Sequence, residues 1–583
     1  MKLRDALRIV NAPLSPEAAA LDVALICGFT PLHLSTFLLA ELRTRLSGYQ
    51  VRLTSGLYGD TLGSLRRLRA DPPAAVVAAL EWPDLDARLG VRSLGGWGAD
   101  LLDDIVRSAR ARLDAITEAT IDLAQRSRVV ISLPTLPLPP IGHSHPAQLS
   151  RLDADLRAAL SGFAVAMARA LGVHLVSEQV LQRSSPPSAR WDVRGELATG
   201  FPYQLDHASE LARLIAALIH PATPKKGLIT DLDDTLWKGI VGDAGASGVA
   251  WDLAGHAQIH GLYQQLLSAL ADSGVLVAVA SKNDRALVDE VFARDDVLLR
   301  PTQIFPFEVH WSAKSESVTR VLRAWNIGAD SVVFVDDSPM ELAEVSATHP
   351  GVTCIQFPRD DPDALLELLV QLRALFGKDV ITDEDRIRQE SLRRREQVVG
   401  ADSAEAEANG EVNESFLREA EGEVTITATK LPFDARAFEL VNKTNQFNLN
   451  GRRHPEAAWR ASLADDRFVL LTLSYRDKFG PLGKIAVAGG HRDGDAIHLE
   501  TWVMSCRAFA RRLEHVMVQQ LFERFGVSEI VFDFAPTERN GPLRTFLTEI
   551  LGAEPAPGAR LTRTEFDRLC PPLYHTISDA ANA

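Results

Sequence analysis

The chain has 583 residues, which is too many for one hydrophobic core, and we therefore expect two to four domains. Its formal net charge of −15 argues against nucleic acid as a general partner, because such binding depends on clustered lysine and arginine. The four cysteines form no CxxC pair, which favours reduced thiols in a cytoplasmic protein over a disulfide framework. No secretory signal is evident, and the apolar run 23–39 is broken by glycine and proline, which argues against a membrane span.

Residues 1–222 alternate segments with the apolar patterns of strands and of helices. This alternation is typical of βαβ units, so we predict a parallel sheet covered by helices. A short proline-rich stretch from Pro221 to Pro224 then marks a domain boundary. The predicted strands are 22–27, 74–80 and 129–133, and the predicted helices are 31–46, 101–126 and 151–171.

The N-terminal domain resembles the SGNH-hydrolase fold, in which a nucleophilic serine follows the first strand and an Asp-x-x-His motif closes the domain. Here Gly28-Phe29-Thr30 follows the first strand, and Gln204 takes the place of the aspartate before His207. Thr30 and His207 are one candidate pair of nucleophile and base. The alternative is that the fold persists without a catalytic triad and packs against a partner or recognises one.

The densest cluster of carboxylates follows an apolar segment that begins at Gly227. Leu228 and Ile229 are predicted to end a buried strand, and the chain continues as Asp231-Leu-Asp233-Asp234-Thr235. Ligands bind at the carboxyl ends of strands in open α/β sheets. A divalent cation would offset the repulsion among these carboxylates, so we expect a metal site here.

Three further polar motifs follow along the chain. An apolar strand over 275–280 runs into Ser281-Lys282-Asn283, and a second over 331–335 runs into Asp336-Asp337. Between them lies Lys314, in the sequence Trp-Ser-Ala-Lys. Helices are predicted over 259–273 and 363–376, and the glycine-rich stretch 238–251 is a candidate flap over the site.

These four motifs, in this order, resemble those of the haloacid dehalogenase (HAD) superfamily of phosphotransferases. The resemblance implies that residues 223–376 form a Rossmann-like phosphatase domain, with Asp231 as nucleophile and Asp233 as general acid and base. It also implies a Mg²⁺ ion held by Asp231, the backbone carbonyl of Asp233, and Asp336, with Asp337 close by. Few residues separate the motifs, so we expect no large cap, and an open site suits a substrate carried on a protein. The residues implied to bind the phosphoryl group are Thr235, Ser281, Lys282, Asn283 and Lys314.

Residues 377–422 have the composition of a connecting segment. The stretch 383–398 is dense in both signs of charge and fits either an anion-binding patch or a solvated helix with (i, i+4) ion pairs. Residues 401–410 are small, polar and acidic, which is typical of a flexible linker.

The last domain, residues 423–583, has a mixed order of elements that resembles the fold of GCN5-related acetyltransferases (GNAT). In that fold the junction between a strand and a helix cradles the pyrophosphate of coenzyme A. The corresponding junction here, 505–512, lacks the glycines that allow a backbone to approach a pyrophosphate. The predicted strands are 468–475, 483–488, 496–504 and 529–534, and the predicted helices are 507–525 and 541–551.

Two features of this domain are candidates for function. The run 442–448 (Asn-Lys-Thr-Asn-Gln-Phe-Asn) concentrates amides, which form either a turn network or a polar site when buried. Cys506 precedes Arg507 at the predicted start of a helix, with Arg511 one turn further on. The helix dipole and these two cations would lower the pKa of the thiol. The alternative is that Cys506 is a small buried apolar residue, which is the common role of a free cysteine.

The HAD motifs, the amide run and the Cys506-Arg507 junction together resemble the FkbH-like proteins of polyketide biosynthesis, which belong to HAD subfamily IIIC. The resemblance implies a bifunctional enzyme that takes a three-carbon unit from 1,3-bisphosphoglycerate, removes its phosphates and loads glyceryl onto an acyl carrier protein. Cys506 would carry the glyceryl thioester before transfer to the phosphopantetheine arm of the carrier. The residues implied to bind substrate in this domain are Asn442, Lys443, Asn445, Gln446 and Arg507.

Two alternatives to this bifunctional enzyme remain. One is a Mg²⁺-dependent phosphatase whose C-terminal module takes no part in catalysis. The other is a scaffold that docks a carrier protein and has lost its active sites, although unpaired carboxylates kept without a metal would be costly.

Overall fold

A computed structural model provides the coordinates of this chain. It describes residues 1–13, 18–46, 48–141, 144–145, 147–378, 417–418, 420–478, 480–505, 508–509, 511–537 and 539–579. The predictions for 383–398 and 401–410 lie outside these residues, as do Cys506 and Arg507. The chain divides into two compact units, a first one of residues 1–222 with 454–465 and a second one of residues 223–453 with 466–583. The finer domain boundaries, at 376 and 422, stay predictions.

The first unit contains one five-stranded sheet in which every strand pair is parallel, as predicted. The strand order is β2-β1-β3-β4-β5, and the central strands β1, β3 and β4 are buried. The prediction omitted β2, which is polar and lies at an edge, and β5, which has only three residues. The strands are β1 (Ala19–Ile26), β2 (Tyr49–Ser55), β3 (Ala75–Ala79), β4 (Arg128–Ser132) and β5 (Val173–Leu175).

Helices cover this sheet and bury their apolar faces against it. The helix from residues 456–464 belongs to the first unit, and its Glu456 forms an ion pair with Arg128 of β4. Short 3₁₀ turns occupy Ala87–Leu89, Ala99–Leu101 and Pro187–Ala189. The α-helices are Leu3–Val10, Leu32–Arg45, Thr61–Arg67, Trp82–Leu85, Leu102–Ala124, Arg151–Arg169, Glu178–Ser184, Val193–Thr199, Leu205–Ile219 and Glu456–Ala464.

The second unit contains two sheets, and the first is again parallel, in the order β10-β9-β6-β7-β8. Its centre is the four-residue strand β6, which is buried and pairs with β7 on one side and β9 on the other. Because the strands are parallel, the residues that follow β6, β7 and β9 meet at one edge. The strands are β6 (Gly227–Thr230), β7 (Leu276–Ser281), β8 (Phe307–Val309), β9 (Val332–Asp336) and β10 (Thr353–Gln356).

The connection from β6 to the next long helix is short, as expected for a domain without a large cap. Residues 231–257 form it, and they include a bridge between Lys238 and Ala250. Short 3₁₀ turns lie at Pro301–Gln303 and Ala329–Ser331. The α-helices around this sheet are Val241–Ala244, Gln258–Asp272, Arg285–Phe292, Lys314–Trp325, Pro339–Thr348 and Pro362–Phe376.

The second sheet of this unit has seven strands of mixed direction, in the order β16-β15-β14-β13-β12-β11-β17. The helix predicted over 507–525 begins instead at Leu513, after Arg512 in the left-handed conformation. The strands are β11 (Glu423–Thr427), β12 (Phe468–Asp477), β13 (Gly480–Asp493), β14 (Ala496–Met504), β15 (Glu529–Phe532), β16 (Ala559–Thr562) and β17 (Thr576–Asp579). The α-helices are Ala435–Lys443, Leu513–Phe525, Gly541–Leu551 and Arg563–Leu569.

The architecture is therefore α/β, with two parallel sheets and one mixed sheet. The SGNH-like and GNAT-like assignments stay predictions. Among the described residues, no helix combines the length and the apolar character that crossing a bilayer requires.

The start of β6 leaves no room for a side chain at Gly227. A Cβ there would lie 2.3 Å from Cζ3 of Trp325, whose ring is 1% exposed. We expect Gly227→Ala to lower the free energy of unfolding by about 1–3 kcal/mol, because overpacking forces the ring or the strand to move. Urea unfolding of the full chain measures this loss. The control is Gly242→Ala, whose Cβ meets no atom within 4 Å, and an equal loss in both variants would contradict the packing argument.

Candidate active site

Three aspartates lie together at the carboxyl edge of the sheet formed by β6–β10. Asp231 follows β6, Asp336 ends β9, and Asp337 comes next in the chain. One carboxylate oxygen from each lies within 4.8 Å of the others. Asp231 and Asp336 are buried, and Asp337 is half-buried. The pairing of β6 with β9 therefore brings together three of the four predicted metal-binding residues, and the role of the Asp233 carbonyl stays a prediction.

Lys314 is the buried cation of this cluster. Its Nζ lies 2.9 Å from Oδ1 of Asp231 and 2.5 Å from Oδ2 of Asp336. Burial lowers the pKa of Lys314, but the two carboxylates outweigh that effect and raise it, so the ammonium stays charged. Burial, followed by repulsion from Asp231, raises the pKa of Asp336. One lysine cannot neutralise three carboxylates, and this oxygen-rich set fits a hard divalent cation.

Asp233 lies beside the cluster and has a different environment. Its Oδ1 accepts hydrogen bonds from Nε1 of Trp237 at 2.9 Å and from the backbone N–H of Val241 at 3.1 Å. Its Oδ2 accepts one from Nδ2 of Asn283 at 2.8 Å. Burial is the largest effect on Asp233 and raises its pKa, which suits a carboxyl group that must donate a proton. Asn283, predicted to bind substrate, thus orients Asp233.

The remaining predicted residues of this site occupy the same edge. The hydroxyl of Thr235 is buried and accepts a hydrogen bond from the backbone N–H of Asp337 at 3.1 Å, which joins the loops after β6 and β9. Ser281 ends β7 and is buried. Nζ of Lys282 forms an ion pair of 2.9 Å with Glu341, in the first turn of the helix Pro339–Thr348 that follows β9. These predicted residues therefore lie at or shortly after the carboxyl ends of β6, β7 and β9, and Lys314 begins the helix Lys314–Trp325.

One site residue was not predicted. Arg359 follows β10 and places Nη1 3.3 Å from Oδ2 of Asp234 and 3.1 Å from Oδ2 of Asp337. It lines an open cleft of about 620 Å³ that also includes Asp337. The signal in the sequence that could have identified Arg359 was its position as a polar residue after a strand, here β10. That strand is half-buried rather than continuously apolar, so its sequence did not indicate a strand.

The amide run 442–448 begins in the helix Ala435–Lys443, and its side chains bond to neighbouring residues, as the turn-network alternative expects. A role of this run in substrate binding stays a prediction. Nδ2 of Asn442 donates to the carbonyl of Phe438 at 3.2 Å, and Oδ1 of Asn445 accepts from Arg453. Lys443 forms an ion pair of 2.7 Å with Glu439.

The same run also contacts the parallel sheet of the second unit. Nε2 of Gln446 donates to Oδ1 of Asn326 at 2.9 Å, and Nζ of Lys226 donates to the carbonyl of Lys443 at 3.0 Å. Lys226 precedes β6, so this contact lies at the amino edge of the parallel sheet, opposite Asp231.

The end of this run separates two strands of the mixed sheet. β14 and β15 pair only through residues 496–499 and 529–532. Beyond that point the backbone of Leu449 donates to Trp502 at 2.9 Å and accepts from Ala535 at 3.1 Å. Nδ2 of Asn450 donates to the carbonyls of Glu500 and Asp533. Leu449 and Asn450 therefore occupy the space between β14 and the segment that follows β15. A ligand in an extended conformation would not fit between these strands at this point.

Cys506 and Arg507 lie outside the described residues, and the helix that was to begin beside them begins at Leu513. Nε of Arg511, predicted to lie one turn from the thiol, contacts the buried carboxylate of Asp477 at 3.2 Å. The roles of Cys506 and Arg507 stay predictions.

In the first unit, Thr30 and His207 do not form a catalytic pair. The hydroxyl of Thr30 donates to the carbonyl of Thr199 at 2.9 Å. His207 is fully buried, and its ring nitrogens contact the hydroxyls of Thr135 at 3.0 Å and Ser185 at 2.9 Å. Burial lowers the pKa of His207 to about 3, so the ring stays neutral and acts as a structural hydrogen-bonding group.

Gly28, at the position of the missing nucleophile, packs against a buried carboxylate. A Cβ at this residue would lie 2.1 Å from Oδ1 of Asp84. Asp84 also accepts from the hydroxyl of Thr61 and from the backbone of Glu81. A serine side chain would clash here unless Asp84 moved, which favours the non-catalytic alternative for this domain.

Comparisons with known proteins identify no family for this chain. No family model matches it, and no curated protein matches it. Among solved structures, the N-terminal part of BF1531 from Bacteroides fragilis, described as "containing phosphatase domain complexed with Mg", is 23% identical, with a TM-score of 0.49. The match covers 65% of this chain and 100% of that one. An α-glucosyltransferase in complex with UDP and DNA is 11% identical over 64% of this chain and 95% of that one, with a TM-score of 0.14. These likenesses are too low to carry an argument.

Glu81 gives a pH-dependent prediction for the first unit. Burial is the largest effect and raises its pKa from 4.5 to about 7, although Thr135 and Tyr203 donate hydrogen bonds to it. The folded state therefore holds the proton of Glu81 more tightly than the unfolded state does. This effect adds up to about 3 kcal/mol to the free energy of unfolding below pH 4.5, and the contribution is lost as the pH rises through 7. In the variant Glu81→Gln, the free energy of unfolding should change less between pH 4.5 and about 7 than it does in the wild type.

Urea unfolding of the full chain followed by pulse proteolysis measures this profile from pH 4.5 to 8. Glu118→Gln is the control, because Glu118 is exposed on the helix Leu102–Ala124. Identical slopes in the wild type and in Glu81→Gln would show that Glu81 does not change its charge on folding in this range.

Proposed function

We propose that the site around Asp231 is the active site of a Mg²⁺-dependent phosphatase of the HAD type. The observation that carries this proposal is the convergence of Asp231, Asp336 and Asp337 on Lys314, with Asp233 held beside them by Asn283. Such a buried group of carboxylates is costly unless a cation joins it. The resemblance of all four motifs to that superfamily adds support.

Asp231 and Asp233 have distinct roles in the proposed reaction. A carboxylate oxygen of Asp231 attacks the phosphorus of a monoester and forms an aspartyl phosphate, while Asp233 protonates the leaving oxygen. Asp233 then takes a proton from the water that hydrolyses the aspartyl phosphate. Lys314 holds Asp231 in place and offsets negative charge at the phosphoryl group. Asp231, Asp336 and Asp337 would hold Mg²⁺, which supplies further charge stabilisation when bound.

Replacing the nucleophile tests the phosphatase proposal. We expect Asp231→Asn to reduce the release of inorganic phosphate from a monoester such as p-nitrophenyl phosphate by more than about a thousandfold, because an amide cannot form the aspartyl phosphate. Steady-state phosphate release with Mg²⁺ measures this change.

The matched control is Asp272→Asn, which removes an exposed aspartate at the end of the helix Gln258–Asp272. The control should retain wild-type turnover. Turnover that is equal in the two variants, or unaffected by chelation of Mg²⁺, would contradict the proposal.

We further propose that the chain loads a glyceryl unit from 1,3-bisphosphoglycerate onto an acyl carrier protein. The support is the resemblance to FkbH-like proteins in the HAD motifs, the run 442–448 and the Cys506-Arg507 junction. The chemistry needs two centres, because a thiolate attacks the carbonyl of an acyl phosphate, whereas the 3-phosphate ester needs the site at Asp231. A phosphatase with an inactive C-terminal module is the alternative.

Intact-protein mass spectrometry distinguishes these alternatives. After incubation with 1,3-bisphosphoglycerate and Mg²⁺, glyceryl transfer predicts a covalent adduct that Cys506→Ala abolishes and Cys570→Ala retains. The adduct should disappear when a holo-carrier protein is added. An unmodified protein that still releases phosphate would support the alternative, and a protein that neither forms the adduct nor releases phosphate would support a docking scaffold.

A further inference from the structure

Arg359 contacts Asp337, one of the three clustered aspartates, and also lines the open cleft beside them. Its side chain is 51% exposed, whereas the side chains of Lys314, Asp231 and Asp336 are each less than a tenth exposed. The cleft of about 620 Å³ is lined by Asp337, by Arg359 itself and by the segment 356–361. Arg359 is therefore presented to an incoming ligand, while Lys314 is enclosed with the nucleophile.

The contacts of Arg359 leave part of its guanidinium group available. Nη1 contacts both Asp234 and Asp337, and Nε lies 3.4 Å from the exposed Asp360. Nη2 has no acceptor within the part of the chain that the structure describes. An arginine used only to fix two carboxylates would be expected to use both terminal nitrogens, because paired hydrogen bonds to carboxylate are the stronger geometry.

The partners of Arg359 also have other roles. Asp337 belongs to the group of three that fits a divalent cation, and Asp234 accepts a hydrogen bond from the backbone N–H of Gly239 at 2.8 Å. A cation held in part by Asp337 would share the negative charge of that carboxylate, and Arg359 would then lose part of its charge compensation. A negatively charged group of the substrate would restore it.

Geometry limits how far this second group lies from the reacting phosphorus. Arg359 touches Asp337, and Asp337 lies within 4.8 Å of Asp231, which is the proposed nucleophile. An anion on Arg359 would thus be separated from the phosphoryl group on Asp231 by a short carbon chain. This spacing suits a small phosphate ester that carries a carboxylate or a second phosphate.

We propose that Arg359 is a specificity residue that binds the second anionic group of a small phosphate ester. The proposal rests on the proposed phosphatase function, since it assigns Arg359 a role in substrate selection at that same site. Arg359 takes no part in bond making, so its removal acts on binding rather than on turnover.

Two esters that differ in one group test this role. 3-Phosphoglycerate carries a carboxylate where glycerol 3-phosphate carries a hydroxymethyl group. We expect Arg359→Gln to raise KM for 3-phosphoglycerate by about 10- to 100-fold, the range for a hydrogen-bonded charge pair, with little change in kcat. KM for glycerol 3-phosphate should stay within about twofold, and Arg359→Lys should restore part of the preference, because a lysine keeps the charge but not the fork.

The control variant is Arg320→Gln, which removes an arginine of similar exposure that pairs with Glu308. Equal increases of KM for both esters in Arg359→Gln would overturn the proposal and assign Arg359 to holding Asp337. Unchanged KM values for both would overturn it as well.

Direct binding separates failure of this proposal from failure of the phosphatase function. Isothermal titration calorimetry with the Asp231→Asn variant and Mg²⁺ needs no turnover. If neither ester is hydrolysed by the wild type, the phosphatase function fails, yet tighter binding of 3-phosphoglycerate that is lost on adding Arg359→Gln would still support the role of Arg359. Equal affinity for the two esters, or no binding of either, would overturn it.

Discussion

Electrostatic repulsion among Asp231, Asp336 and Asp337 is the main constraint on the carboxyl edge of the parallel sheet in the second unit. The pairing of β6 with β9 forces Asp231 and Asp336 together, and their like charges would drive the two strand ends apart. Lys314 offsets part of that repulsion because the helix that it begins places its ammonium group between the two carboxylates. The ion pairs are buried, so water screens them little. Lys314 and, at Asp337, Arg359 offset only part of this negative charge, and the site therefore favours a further cation.

Asp233, at the same edge of the sheet, has a different environment from the three clustered aspartates. Asp233 sits outside the buried group, and its pKa is raised mainly by burial, with repulsion from Asp231 a smaller effect. Hydrogen bonds from Trp237, Val241 and Asn283 fix its orientation. Asp231 and Asp233 are only two residues apart in the chain, yet their different environments suit the two proposed roles of nucleophile and proton donor.

Much of this site could be predicted from the sequence, because it is built from parallel strands that are buried on both faces. Such strands form continuous apolar runs, and the polar residue after each run lies at the ligand-binding edge. Asp231, Ser281 and Asp336 were found in this way. Arg359 was missed because β10 is half-buried and lacks that apolar signature, and β2 was missed for the same reason. The role of Asn283 towards Asp233 depends on side-chain direction, which no motif specifies.

The amide run 442–448 shows a second limit. Its composition indicated buried hydrogen bonding but not the identity of the partners. These include the carbonyl of Phe438 and the side chains of Arg453 and Asn326. The helix predicted to begin after Cys506 begins at Leu513, because apolar spacing alone does not locate a helix start without a capping residue.

Gln446 and Lys443 contact the amino edge of the parallel sheet, whereas Asp231 lies at its carboxyl edge. The strand between these edges, β6, has four residues and spans about 13 Å at roughly 3.3 Å per residue. The contacts of Lys443 and Gln446 with the parallel sheet are thus separated from Asp231 by the length of β6. A small phosphate ester held at Asp231 would not reach these two residues through the sheet.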